Sequence, residues 1–291
     1  MTSSTAAAPL RPAATVIVLR DTDAGLEVFM VRRHDATAFM GGAYVFPGGR
    51  VDLGDAAAVD PSWCDGLDAA EIAPLPTATA IAHRLAAIRE LFEEAGVLLA
   101  RDARRRPVAI ADPVTHDRFA RYRREIHAGT VAMQSVVERE KLRVALDAIV
   151  PFARWITPPI DVRQFDAWFF MTRVPPDQTP VHDETETTHG EWVRPSDALA
   201  RAAAREITLP PPTWTTLREI EGFATVDAAI AWARDRRIEP RRPIVHDEGG
   251  DRFLLLPGDP QNPEAWHEPV PRETRFRFDG GRWVAEQARS A

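Results

Sequence analysis

Along the chain, the spacing of apolar residues switches between strand-like and helical, and the switches mark the expected elements. "ATVIVLR" (14–20) and "LEVFMVRR" (26–33) are apolar, β-branched runs separated by the turn signal "DTDAG". They predict neighbouring strands on a short loop. "GGAYVFPGG" (41–49) predicts a third, short strand enclosed by glycines and ended by Pro47. Residues 52–78 are rich in Asp, Pro and Ala and predict loop or short helix. In "TATAIAHRLAAIRELFEEAG" (77–96), Ile81, Leu85, Ile88 and Phe92 recur at intervals of four, three and four, the stripe of a helix that faces a core. Thr77 or Thr79 is the expected cap and Gly96 the expected stop.

Residues 113–127 and 131–150 predict two further helices, the second with Val136, Val137, Leu142, Leu146 and Ile149 as its apolar positions. "ARWITP" (153–158) and "DAWFFMTRV" (166–174) predict strands, the latter buried on both faces. "HGEWVRPSDALARA" (189–202) predicts a strand running into a helix, and 211–220 and 225–236 predict more helices. Short β-like pieces follow at 252–258 and 274–283. This mixture predicts an α/β or α+β sandwich. The expected organisation is a flexible lead-in over 1–13, one domain over 14–240 with insertions at 56–79 and 113–150, and a β-containing extension over 241–291.

Composition narrows the function classes. The 291 residues are 45% hydrophobic and 27% charged, enough to bury a core without disulfides. Cys64 stands alone, which excludes an intramolecular disulfide framework. A net charge of −7 offers no global basic field for nucleic acid or an anionic membrane. The arginine clusters at 101–106 and 234–242 read as solvated loop charge. No apolar run approaches the ~18 residues of a membrane span. The opening "MTSSTAAAPLRPAA" lacks a secretory pattern, so the cytoplasm is the expected location.

The chemistry concentrates at "IRELFEEAGVLL" (88–99), which puts Glu90, Glu93 and Glu94 on one face of the predicted helix, just before its C-terminal glycine. Like charges at these spacings repel by about 0.2–0.5 kcal/mol per pair, and the helix dipole disfavours anions at that end. By themselves the three fit either a solvated acidic face, with Arg89 pairing to Glu93, or a site where a divalent cation sits among hard oxygen ligands.

"FPGG" (46–49) and "RELFEEAGV" (89–97) together resemble the signature of the Nudix hydrolase superfamily. The second half is matched in full by Arg89, Glu90, Leu91, Glu93, Glu94, Gly96 and Val97. The first half begins at Gly49, and Asp55 stands where the pattern carries Glu. Between Asp55 and Arg89 lie 33 residues where the signature has seven. With "FMGGAYVFPGGRVD" and "RWITP…RQFDAWFF", this interruption resembles the coenzyme A diphosphatase-like branch, whose box is split. Ala38 stands where the companion coenzyme A motif carries an arginine, while Arg33 fits the motif's earlier arginine.

The resemblance implies an α/β/α sandwich around a mixed sheet, with extra helices after the box. It implies Mg²⁺ or Mn²⁺ held by Glu90, Glu93 and Glu94, with the carbonyl of Gly48 or Gly49 completing the shell and Arg89 orienting a glutamate. The base is Glu90 of the box, or Glu186 or Glu184 of the later acidic loop. Arg33, Phe46, Gly48, Arg154 and Arg163, with Arg32, are the expected substrate contacts. The implied reaction is hydrolysis of a nucleoside diphosphate linked to another moiety, foremost coenzyme A or acyl-coenzyme A cut to 3′,5′-ADP and (acyl-)4′-phosphopantetheine. NADH, ADP-ribose or a dinucleoside polyphosphate is the neighbouring alternative, and a catalytically silent nucleotide-binding module is the rival from another class. A homodimer is left open, and His182 and His189 read as surface residues without a catalytic partner.

Overall fold

In a computed structural model, residues 10–36, 40–57, 62–66, 68, 75–159, 164–183, 185–266 and 270–288 are described. The chain opens with β1 (Arg11–Thr22) and β2 (Gly25–Arg33), followed by the short β3 (Tyr44–Val45) and β4 (Gly48–Arg50). One turn of helix, α1 (Leu53–Ala57), and β5 (Cys64–Asp65) lead to the long α2 (Thr77–Ala95). After β6 (Ala100–Arg101) come α3 (Pro113–His127), α4 (Met133–Arg139) and β7 (Arg143–Ala145). Then β8 (Val150–Ile156), β9 (Phe165–Arg173) and β10 (Thr187–Val193) precede α5 (Pro195–Ala203), α6 (Pro211–Ile220) and α7 (Val226–Asp235). The C-terminal part holds β11 (Pro240–Arg241), β12 (Ile244–Glu248), β13 (Asp251–Leu255), β14 (Glu273–Asp279) and β15 (Arg282–Gln287).

The central sheet runs β10-β2-β1-β9-β8-β11, with β3 added to β2 and β4 to β1. It is mixed: β1 is parallel to β9 and β11 to β8, and the other pairs are antiparallel. Successive side chains of a strand point to opposite faces. Val16 and Val18 of β1 therefore join one core with Ile81, Leu85, Ile88 and Phe92 of α2. Ile17 and Leu19 join the other with Leu217 of α6 and Ala229 of α7. Helices cover both faces, which makes the α/β/α sandwich expected from the sequence and explains why β1 reads as an uninterrupted apolar run.

The four C-terminal strands β12-β13-β14-β15 form their own antiparallel sheet. Leu254 and Phe276 of this sheet enter the second core beside Trp155 and Trp214. Among the described residues no helix is long and apolar enough to cross a membrane.

Two expectations need correcting. Residues 131–150 are not one helix: α4 stops at Arg139, and Lys141 takes a left-handed φ of 55°. The Leu142 amide then donates to Val137 O at 2.8 Å, a chain reversal that closes the helix without glycine. Val144 and Ala145 go to a small sheet, β5-β7-β6, and the carbonyls of Leu146 and Ile149 accept the buried Arg84 guanidinium. The other concerns α2, whose N-cap is Pro76 with no side-chain cap, so neither Thr77 nor Thr79 serves. Its C-cap is Gly96 at φ 70°, as expected. Within 56–79, only residues 56–57, 62–66, 68 and 75–79 are described.

Candidate active site

The site is built where β4 crosses the last turns of α2. Gly48 and Gly49 pair with Thr15 and Ala14 of β1, which holds the glycine strand flat against the sheet. From there the Gly48 amide donates to Glu94 Oε2 at 2.8 Å. A Cβ added to Gly49 would land on the carboxylate of Glu90, so only glycine lets the strand come this close. Glu90 and Glu94, one helical turn apart, are thus brought against the glycine strand rather than into solvent.

Arg89 is the hub on the neighbouring face. Its Nε and Nη2 donate to the two oxygens of Asp55 at 3.0 and 2.9 Å. Its Nη1 donates to Glu90 Oε1 and Glu93 Oε1, both at 2.9 Å, and Nη2 also reaches the Arg50 carbonyl at 2.9 Å. One guanidinium therefore fixes two of the three box glutamates and ties α1 to α2. Helix α3 contributes from behind: Arg123 Nε donates to the Glu93 carbonyl at 2.7 Å, and His127 Nδ1 lies 3.6 Å from Glu93 Oε2.

Burial and crowding strain the charges here. The Glu90 carboxyl is pushed up to about 7, first by burial and further by the charges of Glu93 and Glu186, against the pull of Arg89. Glu94, more deeply buried, is held well above the ordinary carboxylate range by burial and by Glu90, which the Gly48 amide and Arg33 only partly offset. For Arg89, burial disfavours the charge, but the Asp55 bonds and the surrounding carboxylates outweigh it and raise its pKa.

The donor set fits a hard divalent ion: two buried carboxylates with raised pKa, a third beside them, and a backbone strand at contact distance. Among the described residues, no three His, Cys, Asp or Glu side chains stand ready as a cage in the present arrangement. Glu90 and Glu93 are turned onto Arg89, and Glu94 onto the Gly48 amide.

These groups line a cleft of about 780 Å³. It brings together most of the expected residues: Arg89 with the three glutamates, Gly48 and Gly49, Arg33 and Phe46, and Glu186 from the loop before β10. Arg33 Nε is buried without a hydrogen-bond partner among the described residues. Asp183 pins the Glu186 loop, accepting from the Glu186 amide at 3.1 Å and from the Thr187 amide and hydroxyl at 2.9 and 2.6 Å.

Other expected contacts lie elsewhere. Arg154, inside β8, donates through Nε and Nη2 to Asp166 at 2.8 and 2.6 Å and does not line the cleft. Arg32 reaches Asp35 and Thr188, also off the cleft. Arg163 and Glu184 fall outside the described residues. The rings of His182 and His189 lie tilted at 43° with centroids 6.4 Å apart.

Sequence reasoning missed further contributors to the cleft, among them Arg11, Arg50 and His127, and a wall of Phe165, Leu254 and Trp283 beside Trp155. A lone helical His and an apolar strand carry no signal that separates site from core.

The fold has counterparts in known proteins. Residues 68–220 match the family described as the NUDT19 Nudix domain. The chain is 24% identical over 273 residues to a Xenopus laevis protein named acyl-coenzyme A diphosphatase NUDT19, covering 82% of this chain and 72% of that one. It is 28% identical over 278 residues to the human protein of the same name, covering 81% and 72%. A solved NUDIX hydrolase from Alicyclobacillus acidocaldarius superposes with a TM-score of 0.63 at 24% identity, over 77% of this chain and 96% of that one.

Proposed function

The chain belongs to the NUDT19 Nudix domain family, hydrolases of pyrophosphate bonds, and on that premise we propose that it cleaves the pyrophosphate of coenzyme A or acyl-coenzyme A to 3′,5′-ADP and 4′-phosphopantetheine or its acyl form. The observation that supports activity most directly is the Arg89 hub, which keeps two glutamates in place although the box is interrupted. The substrate reading draws on the relatives named acyl-coenzyme A diphosphatase and on the size of the cleft.

Glu90, Glu93 and Glu94, with the Gly49 carbonyl, would hold Mg²⁺ or Mn²⁺. Such an ion neutralises phosphoryl oxygens and makes a bound water more acidic. The chain's own residues do the rest. Arg89 fixes where Glu90 and Glu93 stand relative to each other and to the glycine strand. Arg33 neutralises a phosphate oxygen, and the Gly48–Gly49 strand lets the diphosphate lie close to the backbone. Glu90 or Glu186 receives the proton of the attacking water. Arg154 is left out of this scheme, being committed to Asp166.

The test is product identification by mass after incubation with Mg²⁺ and coenzyme A, acyl-coenzyme A, NADH, ADP-ribose and a dinucleoside polyphosphate side by side. Formation of 3′,5′-ADP from the coenzyme A species is the expected result. Preferential cleavage of NADH or ADP-ribose would keep the chemistry and replace the substrate; binding without turnover of any would leave a silent nucleotide-binding module.

A further inference from the structure

The cleft changes character across the sheet. Its charged lining comes from β1, β2, β4 and the Asp52 turn after it, α2, α3 and the Glu186 loop. In the sheet order the next strands are β9 and β8, and the strand beyond them, β11, leads into the C-terminal sheet. Among the described residues, every lining residue from β8, β9 and their connecting loop, from α6 and its leading turn, and from the C-terminal part is uncharged. Leu254 of β13 and Trp283 of β15 line this half together with Trp155 and Phe165.

Pro210, Pro211, Pro212 and Pro243 complete the surround. Proline has no amide hydrogen to donate. Among the described residues here, the hydroxyls are those of Thr157 and Thr213, the Thr157 hydroxyl accepting the Phe165 amide at 3.0 Å, and the other side-chain donors are the indole N–H groups of Trp155 and Trp283, with no side chain that only accepts. A purine needs donors and acceptors along its edge to be recognised, whereas a hydrocarbon chain needs only apolar area and the exclusion of water.

We infer that this uncharged half, walled by Leu254 and Trp283 of the C-terminal sheet, is the seat of the acyl chain of a coenzyme A thioester. The assignment rests on the substrate reading above. It also gives the C-terminal sheet a part in specificity, since that sheet supplies a wall of the cleft without supplying a charged group to it.

The experiment measures kcat/KM of the full chain with Mg²⁺ for free, acetyl-, butanoyl- and hexanoyl-coenzyme A, and for ADP-ribose. The expected result is a rise of at least about tenfold from acetyl to hexanoyl, as apolar pockets discriminate added methylenes. Trp283→Ala should lower the hexanoyl-to-free ratio about tenfold, a ratio that cancels losses common to both substrates. Equal efficiency across the acyl series overturns the subsite while leaving the substrate reading intact. A Trp283→Ala loss as large for ADP-ribose as for hexanoyl-coenzyme A assigns the wall to the base and also overturns it. Cleavage of ADP-ribose but of no coenzyme A species overturns the substrate reading and the subsite with it. Should Trp283→Ala not fold, the chain-length series on the unaltered protein decides alone.

Discussion

Arg89 and Asp55 stand 34 positions apart in sequence and meet in a two-point ion pair, Nε to Oδ1 at 3.0 Å and Nη2 to Oδ2 at 2.9 Å. Both side chains are largely buried, at 13% and 6% exposure. The pair explains how a long insertion leaves the site assembled. Lengthening a loop adds only about 0.6 kcal/mol per doubling, so one fixed contact where the segment rejoins the site restores the geometry that a short spacing would impose.

Arg89→Lys keeps the charge and loses the fork that holds Asp55, Glu90 and Glu93 together. Activity should fall about 10–100-fold, the usual cost of losing a group that orients metal ligands. Asp55→Ala should lower stability as well, because two of the Arg89 hydrogen bonds lose their acceptor, while Glu90 and Glu93 still balance its charge. Steady-state kinetics and urea unfolding check the two effects separately.

Glu94→Gln should lower kcat by orders of magnitude and leave the fold intact. The side-chain oxygen that accepts the Gly48 amide is retained, and the repulsion with Glu90 is removed. In the presence of a chelator the variant should melt at or slightly above the temperature of the unaltered protein. Unchanged turnover would remove Glu94 from the site.

Gly49→Ala tests the closeness of β4 to α2. The added methyl would collide with the Glu90 carboxylate, which cannot retreat without leaving Arg89. A loss of at least tenfold in kcat is expected, with circular dichroism unchanged. Gly54→Ala is the control, since its added Cβ meets nothing within 4 Å.

How far these features were legible follows from what carries them. Helix α2 and strand β1 announce themselves because a core stripe or a doubly buried run persists for many residues. The box glutamates are contiguous on one helix, so their face could be read directly. Strands of two or three residues, such as β5, β6 and β7, have no period to detect, and Lys141 turns the chain where glycine would be the visible signal. The partner of Arg154 lies on the adjacent strand, where register decides the contact. The wall from the C-terminal sheet comes from residues distant in sequence that look like ordinary core.

The C-terminal sheet has its own acid-sensitive lock. Burial pushes the Asp259 carboxyl up, but the Arg275 guanidinium, the Gln261 amide and the Thr274 hydroxyl together hold it below the ordinary range. A carboxyl whose folded pKa is depressed stabilises the fold above its unfolded value, near 3.9, and loses that contribution as pH falls through the folded one. Stability should therefore drop below about pH 4. Asp259→Asn should be less stable at neutral pH with a shallower acid limb, as measured by thermal melts across pH.

The Glu186 loop separates a functional carboxylate from an acidic turn. Asp183 accepts the Glu186 amide and both the amide and hydroxyl of Thr187, and thereby sets where Glu186 enters the cleft. If Glu186 receives a proton from the attacking water, Glu186→Gln should cost roughly 10²–10⁴-fold in kcat. Asp183→Ala should reproduce part of that loss, because it releases the loop while leaving the carboxylate present. In the Glu186→Gln background, Asp183→Ala should add little, since two residues acting through one group are not additive. Full additivity would mean that Asp183 supports the fold of the loop but does not act through Glu186, and the proton would then belong to Glu90.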